Sequence, residues 1–219
     1  PGRILEGAHP GLIHVDNSTI KPATARRIAQ RLAEKGVASL DAPVSGGDIG
    51  ARDGTLTIMV GGPAEVLEKV RPILAAMGRT ITHVGDSGSG QIAKAANQIM
   101  VAAQMVGMGE LLVFAQKAGA DPQKVIEAIR GGAAQCWTLD VKPPRLFSGN
   151  RNPGFKARMM AKDMNIVMET AQEYGIPLPA AAVETQLFNS MVQLGMGDLD
   201  NSAVLGIIEM LAGEILRIK

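Results

Sequence analysis

Lys94 stands in a run of Ala, Ile, Met and Val that otherwise reads as one long apolar helix. In the first turns of such a helix the macrodipole disfavours a cation by ~0.3–1 kcal/mol, so something must compensate. Helical spacing puts Asn97 and Gln98, at i+3 and i+4, on the same face. An ammonium, an amide and an approaching anion can then form one polar cluster, in which a lysine can act as both acid and base. The plainer alternative is a lysine that snorkels from the helix end to water.

A second candidate is the stretch Asp41-Ala-Pro-Val-Ser-Gly-Gly-Asp-Ile-Gly-Ala-Arg-Asp-Gly54. It leaves an apolar strand and supplies Ser45, Gly46, Gly47, Gly50 and Gly54 before the next strand. Successive small residues let backbone N–H groups converge on a carboxylate or phosphate, because no Cβ blocks the approach. A glycine-rich connection that only needs unusual dihedrals has the same composition. Gly88-Ser-Gly90-Gln-Ile-Ala93 formally matches the dinucleotide fingerprint, with Glu110 twenty residues beyond Gly90. That fingerprint needs its acidic residue at the end of the next strand, whereas Glu110 falls inside the same helix, so these glycines read as a tight helix entry.

Lys162 lies within an apolar stripe of Phe155, Met159 and Ile166, and Asp163 borders the stripe of Met160, Met164, Val167 and Ala171. A charge inside a stripe is either paired with a carboxylate or functional. His9, His14, His83 and the single Cys136 show no ligand spacing; they read as structural, and no metal site is expected.

The elements that must carry these residues divide near residue 88. Leu12 to Val15 reads as a strand, and Pro22 to Gly36 as a helix with Pro near its start and Gly past its end. Ala38 to Leu40 and Thr55 to Val60 read as strands, Ala64 to Met77 as a helix, and Ile81 to Val84 as a strand, which makes an α/β sheet at least partly parallel. Beyond residue 88 only helices are expected: Gln91 to Ala118, stopped by Gly119; one opened by Asp121-Pro122 and running to Arg130; Pro153 to Tyr174; Pro179 to Leu194; and Asn201 to Arg217. The expected organisation is a partial Rossmann-like sheet domain over 1–87 followed by an all-α bundle domain over 88–219 that contains a long buried helix.

Composition narrows the partners. The 219 residues carry 22 Lys+Arg against 21 Asp+Glu, a net charge of +1, which gives no polyanion-binding surface, so nucleic acid is not an expected partner. Aromatics are only 3% while Met numbers 12 and Gly 26, which favours closely packed helices over a stacking platform. The stretch Ile92 to Ala115 is long enough to raise the membrane question. It carries Lys94, Asn97, Gln98, Gln104 and Glu110, so a buried helix is expected rather than a span. A lone cysteine and the lack of a basic-then-apolar opening lead to an expected cytoplasmic location.

Taken together, Asp16-Asn-Ser-Thr-Ile-Lys-Pro22, Asp41-Ala-Pro-Val-Ser-Gly-Gly47 continuing through Gly54-Thr-Leu to Met59-Val-Gly-Gly62, Gly88-x-Gly90-x-x-x-Lys94-x-x-Asn97, and Lys162-Asp163 resemble the β-hydroxyacid dehydrogenases. That family includes 3-hydroxyisobutyrate dehydrogenase, tartronate semialdehyde (2-hydroxy-3-oxopropionate) reductase and, more distantly, 6-phosphogluconate dehydrogenase. Ala128-Ile-Arg-Gly-Gly132 and Leu139-Asp140-x-Lys142-x-Pro144 look most like the tartronate semialdehyde reductase branch. The resemblance implies NAD or NADP as cofactor and a small carboxylic acid as substrate. It implies that Ser45, Gly46 and Gly47 hold the substrate carboxylate, that Lys94 is the general acid/base and that Asn97 orients the substrate. Thr19 would touch the nicotinamide end of the cofactor, Lys162 would contact cofactor or substrate, and Asp163 would support a contact between its helix and the sheet. The hydride chemistry belongs to the nicotinamide.

Members of the family begin with a strand, a Gly-x-Gly-x-x-Gly turn and a helix, and the sequence opening Pro1-Gly2-Arg3 is expected to start downstream of that unit. Three classes of function follow. The first is an oxidoreductase interconverting a small 3-hydroxy acid and its semialdehyde, of the tartronate semialdehyde reductase or 3-hydroxyisobutyrate dehydrogenase kind, favoured by Lys94, Asn97, Ser45 and Gly47. The second is an inactive helical dimerisation or ligand-binding module, favoured by the expected loss of the fingerprint. The third is an imine-reducing relative, against which Lys94 argues. Apolar residues on several helix faces lead to an expected homodimer or tetramer.

Overall fold

The first strand, β1 (Ile13–Asp16), runs parallel to β2 (Ala38–Asp41), with α1 (Pro22–Ala33) between them. Pro22 supplies the pre-set φ of the first helical turn, and Gly36 at φ +69° turns the chain back toward β2. β2 passes through Ala42 and Pro43 into the two-residue β3 (Val44–Ser45), and both pair antiparallel with β4 (Leu56–Gly61). The short α2 (Gly47–Arg52) lies in the β3–β4 connection, and after α3 (Ala64–Leu74), β5 (Gly78–Gly85) adds parallel to β4, so the five-stranded sheet is mixed. Asp41 is paired on both sides, with Asp16 across the parallel seam and with Gly61 across the antiparallel one. The core here is Leu40, Ile58 and Val60 of the sheet against Val66, Leu67, Val70 and Leu74 of α3, whose spacing sets one helical face on the sheet.

These elements belong to the first of two compact units, Pro1–Asn97 and Gln98–Lys219, in a computed structural model that describes residues 5–217. The opening Pro1-Gly2-Arg3 lies outside the described residues. The boundary falls inside the long helix α4 (Ser89–Lys117) rather than at its start. By length and composition alone α4 could cross a membrane, with a mean hydropathy of 1.5, and half of its most apolar window is buried.

Every named element among the described residues of the second unit is helical, and one isolated bridge joins Lys156 to Asp200. Met105 and Leu112 of α4, Met160 and Met164 of α7 (Ala157–Tyr174), Phe188 and Met191 of α8 (Pro179–Gln193) and Leu205 of α9 (Leu205–Ala212) are fully buried. Flexible methionines fill the gaps that a bundle this poor in aromatics would otherwise leave. Asp121 caps α5 (Pro122–Ile129) by accepting from the Gln123 N–H at 2.9 Å.

The structure corrects the sequence reading in four places. A helix, α6 (Trp137–Phe147), occupies a segment where two consecutive prolines signal a break; burial of Leu139, Lys142, Pro143 and Leu146 holds it despite the two missing N–H donors. The glycine-rich stretch after Asp41 is not one loop: it contains β3 and the short α2 (Gly47–Arg52). α7 starts at Ala157, not Pro153, because Gly154 and Phe155 give their N–H groups to Asp200 and Lys156 bridges to the same residue. The terminal helix is a 3-10 turn (Asn201–Val204) followed by α9, which ends at Gly213 with φ +61° instead of running to Arg217.

Candidate active site

The carboxylate of Asp41 is the joint on which the first unit's candidate residues are hung. It accepts from Gly88 N–H at 2.7 Å through Oδ1 and from Gln91 N–H at 2.9 Å through Oδ2. The amides at the N-terminus of α4, which have no partners inside the helix, are thus satisfied by the end of β2. A Cβ on Gly90 would lie 2.5 Å from both the Asp41 and the Met59 carbonyl oxygens, and one on Gly61 would lie 2.6 Å from Asp41 Oδ1. Gly90 therefore serves a close helix–sheet approach, as a tight entry into α4 requires. Burial pushes the Asp41 carboxyl above its ordinary acidity range, and the Gly88 and Gln91 N–H groups only partly offset that.

Lys94 follows within the first two turns of α4 and is only 6% exposed, so it does not snorkel to water. Asn97 is half-buried one turn further on. Ser45 ends the strand that continues from Asp41 and pairs with Thr57. Gly46 and Gly47 follow it at φ +136° and +64°, exposed, with backbone that only glycine adopts readily. Thr19 lies in the loop leaving the carboxyl end of β1. Asn17 Nδ2 fastens that loop to the Ala42 carbonyl at 2.7 Å, and Gln91 fastens it to α4. The carboxyl ends of parallel strands, next to a change in strand direction, are where α/β sheets receive dinucleotides.

Thr19, Ser45, Gly46, Gly47, Lys94 and Asn97 all belong to the first unit, and Lys162 and Asp163 to the second. Of the last two, Lys162 is 41% exposed at its side chain, whereas Asp163 is 3% exposed. Lys162 Nζ lies 2.9 Å from Asp163 Oδ1, an ionic approach without hydrogen-bond alignment, and Gln98 Nε2 donates to Asp163 Oδ2 at 2.6 Å. The observed partners of Asp163 are thus Lys162 and the long helix. Gln98 turns to this carboxylate and to Met160 Sδ. Asp41 and Gln91 were not singled out from sequence; the available signal was a carboxylate ending an apolar strand and an amide at the head of an apolar helix. Among the described residues no group of His, Cys, Asp and Glu could hold a metal ion.

Comparison with known proteins finds one family over most of the chain. A family model described as the NAD-binding domain of NADP-dependent 3-hydroxyisobutyrate dehydrogenase matches residues 88–208, and one described as the NAD-binding domain of 6-phosphogluconate dehydrogenase matches residues 2–85. The chain is 44% identical over 202 residues to 2-hydroxy-3-oxopropionate reductase of Escherichia coli K12, covering 92% of this chain and 69% of that protein. It is 36% identical over 214 residues to 2-(hydroxymethyl)glutarate dehydrogenase of Eubacterium barkeri, covering 97% and 71%. Among solved structures, Mycobacterium tuberculosis 3-hydroxyisobutyrate dehydrogenase with L-serine superposes with a TM-score of 0.88 at 32% identity, covering 94% of this chain and 73% of that one.

Proposed function

The chain belongs to the β-hydroxyacid dehydrogenases, NAD(P)-dependent oxidoreductases, and from that premise we propose that it interconverts a small 3-hydroxy acid and its semialdehyde, with 2-hydroxy-3-oxopropionate the first substrate to test. The observation that carries this reading is a buried lysine at the head of α4, on a helix end bonded to the loop of Thr19. The choice of substrate is supported by the identity to the Escherichia coli reductase and by the Leu139-Asp140-x-Lys142-x-Pro144 pattern.

In this reading Ser45, Gly46 and Gly47 receive the substrate carboxylate, and Asn97 orients the carbonyl. Lys94 gives its proton to the carbonyl oxygen during reduction and takes it back from the hydroxyl in the reverse direction. Thr19 and Lys162 contact the cofactor, and Asp163 fixes α7 through Gln98. The bound nicotinamide supplies or accepts the hydride. Lys94→Ala in the intact enzyme should lower turnover by about 10²–10⁴-fold while leaving cofactor affinity nearly unchanged. Near-normal turnover overturns the role of Lys94.

The same reading takes the protein as a homo-oligomer joined through its helical unit. That unit exposes Phe114, Met210, Leu211 and Ile215, and an apolar groove of about 460 Å³ is lined by Val113, Phe114, Ile208 and Ala212 among others. Light scattering at low micromolar concentration should give at least a dimer mass; a stable monomer removes this part of the reading.

A further inference from the structure

We infer that Gln91 is a positioning residue that sets the Thr19 loop against the helix turn bearing Lys94. The inference rests on the roles proposed above for Thr19 and Lys94. Gln91 is 1% exposed, and its side-chain amide is used at both ends. Oε1 accepts from the Ile20 N–H at 3.0 Å, and Nε2 donates to the Ser18 carbonyl at 2.8 Å, so one planar group grips the backbone on either side of Thr19. Its own N–H is held by Asp41. Three residues on along the helix stands Lys94, on the same side of the first turns.

At neutral pH an amide side chain of this length supplies both the acceptor and the donor that this grip needs. A carboxylate accepts from Ile20 but opposes the Ser18 carbonyl, an ammonium donates but cannot accept, and asparagine carries the right groups on a stem one methylene short. The mechanical consequence is that the loop carrying the cofactor contact and the helix carrying the proton donor move as one body. Hydride and proton must reach adjacent atoms of one carbonyl, and an error of ~1 Å in such an arrangement costs about 10²-fold in rate.

The test compares Gln91→Met, Gln91→Asn and Gln91→Glu with the parent enzyme. Without cofactor, amide exchange at Ile20 should quicken about tenfold or more in Gln91→Met and Gln91→Asn, because the acceptor held against that N–H is gone or out of reach. With cofactor and hydroxy acid, kcat should fall about 10–100-fold with KM for the acid nearly unchanged. The ratio of kcat in Gln91→Glu to that in Gln91→Met should rise as pH falls into the carboxyl range, since the protonated carboxyl again donates to Ser18. Should Gln91→Met not fold, Gln91→Asn decides. Unchanged Ile20 exchange, or parent-like kcat in folded variants, overturns the inference. If Lys94→Ala is inactive while the Gln91 variants are not, this inference fails alone; an active Lys94→Ala removes instead the reading on which it rests.

Discussion

Asp41 and Asp200 are buried aspartates, one in each compact unit, that both gather backbone amides, and their acidities move in opposite directions. Asp41 is bonded by the N–H groups of Gly88 and Gln91, and burial raises its pKa. For Asp200 burial pushes the same way, but Lys142 Nζ at 2.8 Å and Ser202 Oγ at 2.6 Å outweigh it, and its pKa falls to about 2. At Asp41 the backbone N–H groups only partly offset burial, whereas at Asp200 Lys142, with Ser202 and the Gly154 N–H, more than offsets it. The two joints also differ in what they hold. Asp41 fixes a regular helix end against a strand, whereas Asp200 ties α6 to the irregular Gly154-Phe155 segment and the 3-10 turn.

The largest expected effect breaks the second joint. Lys142→Met leaves Asp200 buried without its cation and should cost about 3–5 kcal/mol of unfolding free energy in urea titrations. A loss below 1 kcal/mol would mean that Lys142 is not what separates the two aspartates. Acid titration sharpens the same point. The Asp200 pKa is depressed to about 2 from 3.8, so its contribution is present above pH 3.8 and is lost as pH falls toward 2. The shift corresponds to about 2 kcal/mol. Subtracting the stability curve of Asp200→Asn should isolate a step in that window, and a flat difference would contradict the assignment.

Asp41→Asn tests the first joint, where no cation is stranded. One amide edge would then face a backbone N–H, so about 1–2 kcal/mol should be lost, less than for Lys142→Met. If the order reverses, the amide-bonded joint is the stronger of the two.

What the sequence made legible follows the same division. β1, β2, β4, α1, α3 and the long helix stand out because period and terminators agree along a continuous stretch, and the burial of Lys94 extends the expectation of a charge embedded in an apolar helix. The roles of Asp41 and Gln91 were hidden, because each is made by bonds to residues 47 and 73 positions away, which no local pattern encodes. α6 was hidden because Pro143 and Pro144 act locally as breakers and only tertiary burial overrules them. Which of Lys162 and Asp163 is buried could not be read locally, because a helical wheel ranks two apolar stripes alike, while the bundle buries the one with Met160, Met164 and Val167.

The smallest expected effect is the control within the second unit. Glu184 on α8 sits among Ala181, Thr185, Phe188 and Met191 of the same buried face; its Oε2 has no hydrogen-bond partner, and burial alone raises its pKa above 4.5. A raised carboxyl contributes stability that is complete below its unfolded pKa and is lost as pH rises through its folded pKa, the reverse of Asp200. Glu184→Gln keeps the shape and removes the ionisation. Its stability should equal the parent's near pH 4 and exceed it by less than about 1 kcal/mol at pH 7, measured by urea unfolding at both values. Agreement would show that a carboxylate in the second unit behaves like Asp41 once it lacks a cation, so that the cation and not the helical surroundings sets Asp200 apart. A variant less stable than the parent at pH 7 would mean that ionised Glu184 is favourably held, and the contrast between the two joints would then have to be assigned to the units themselves.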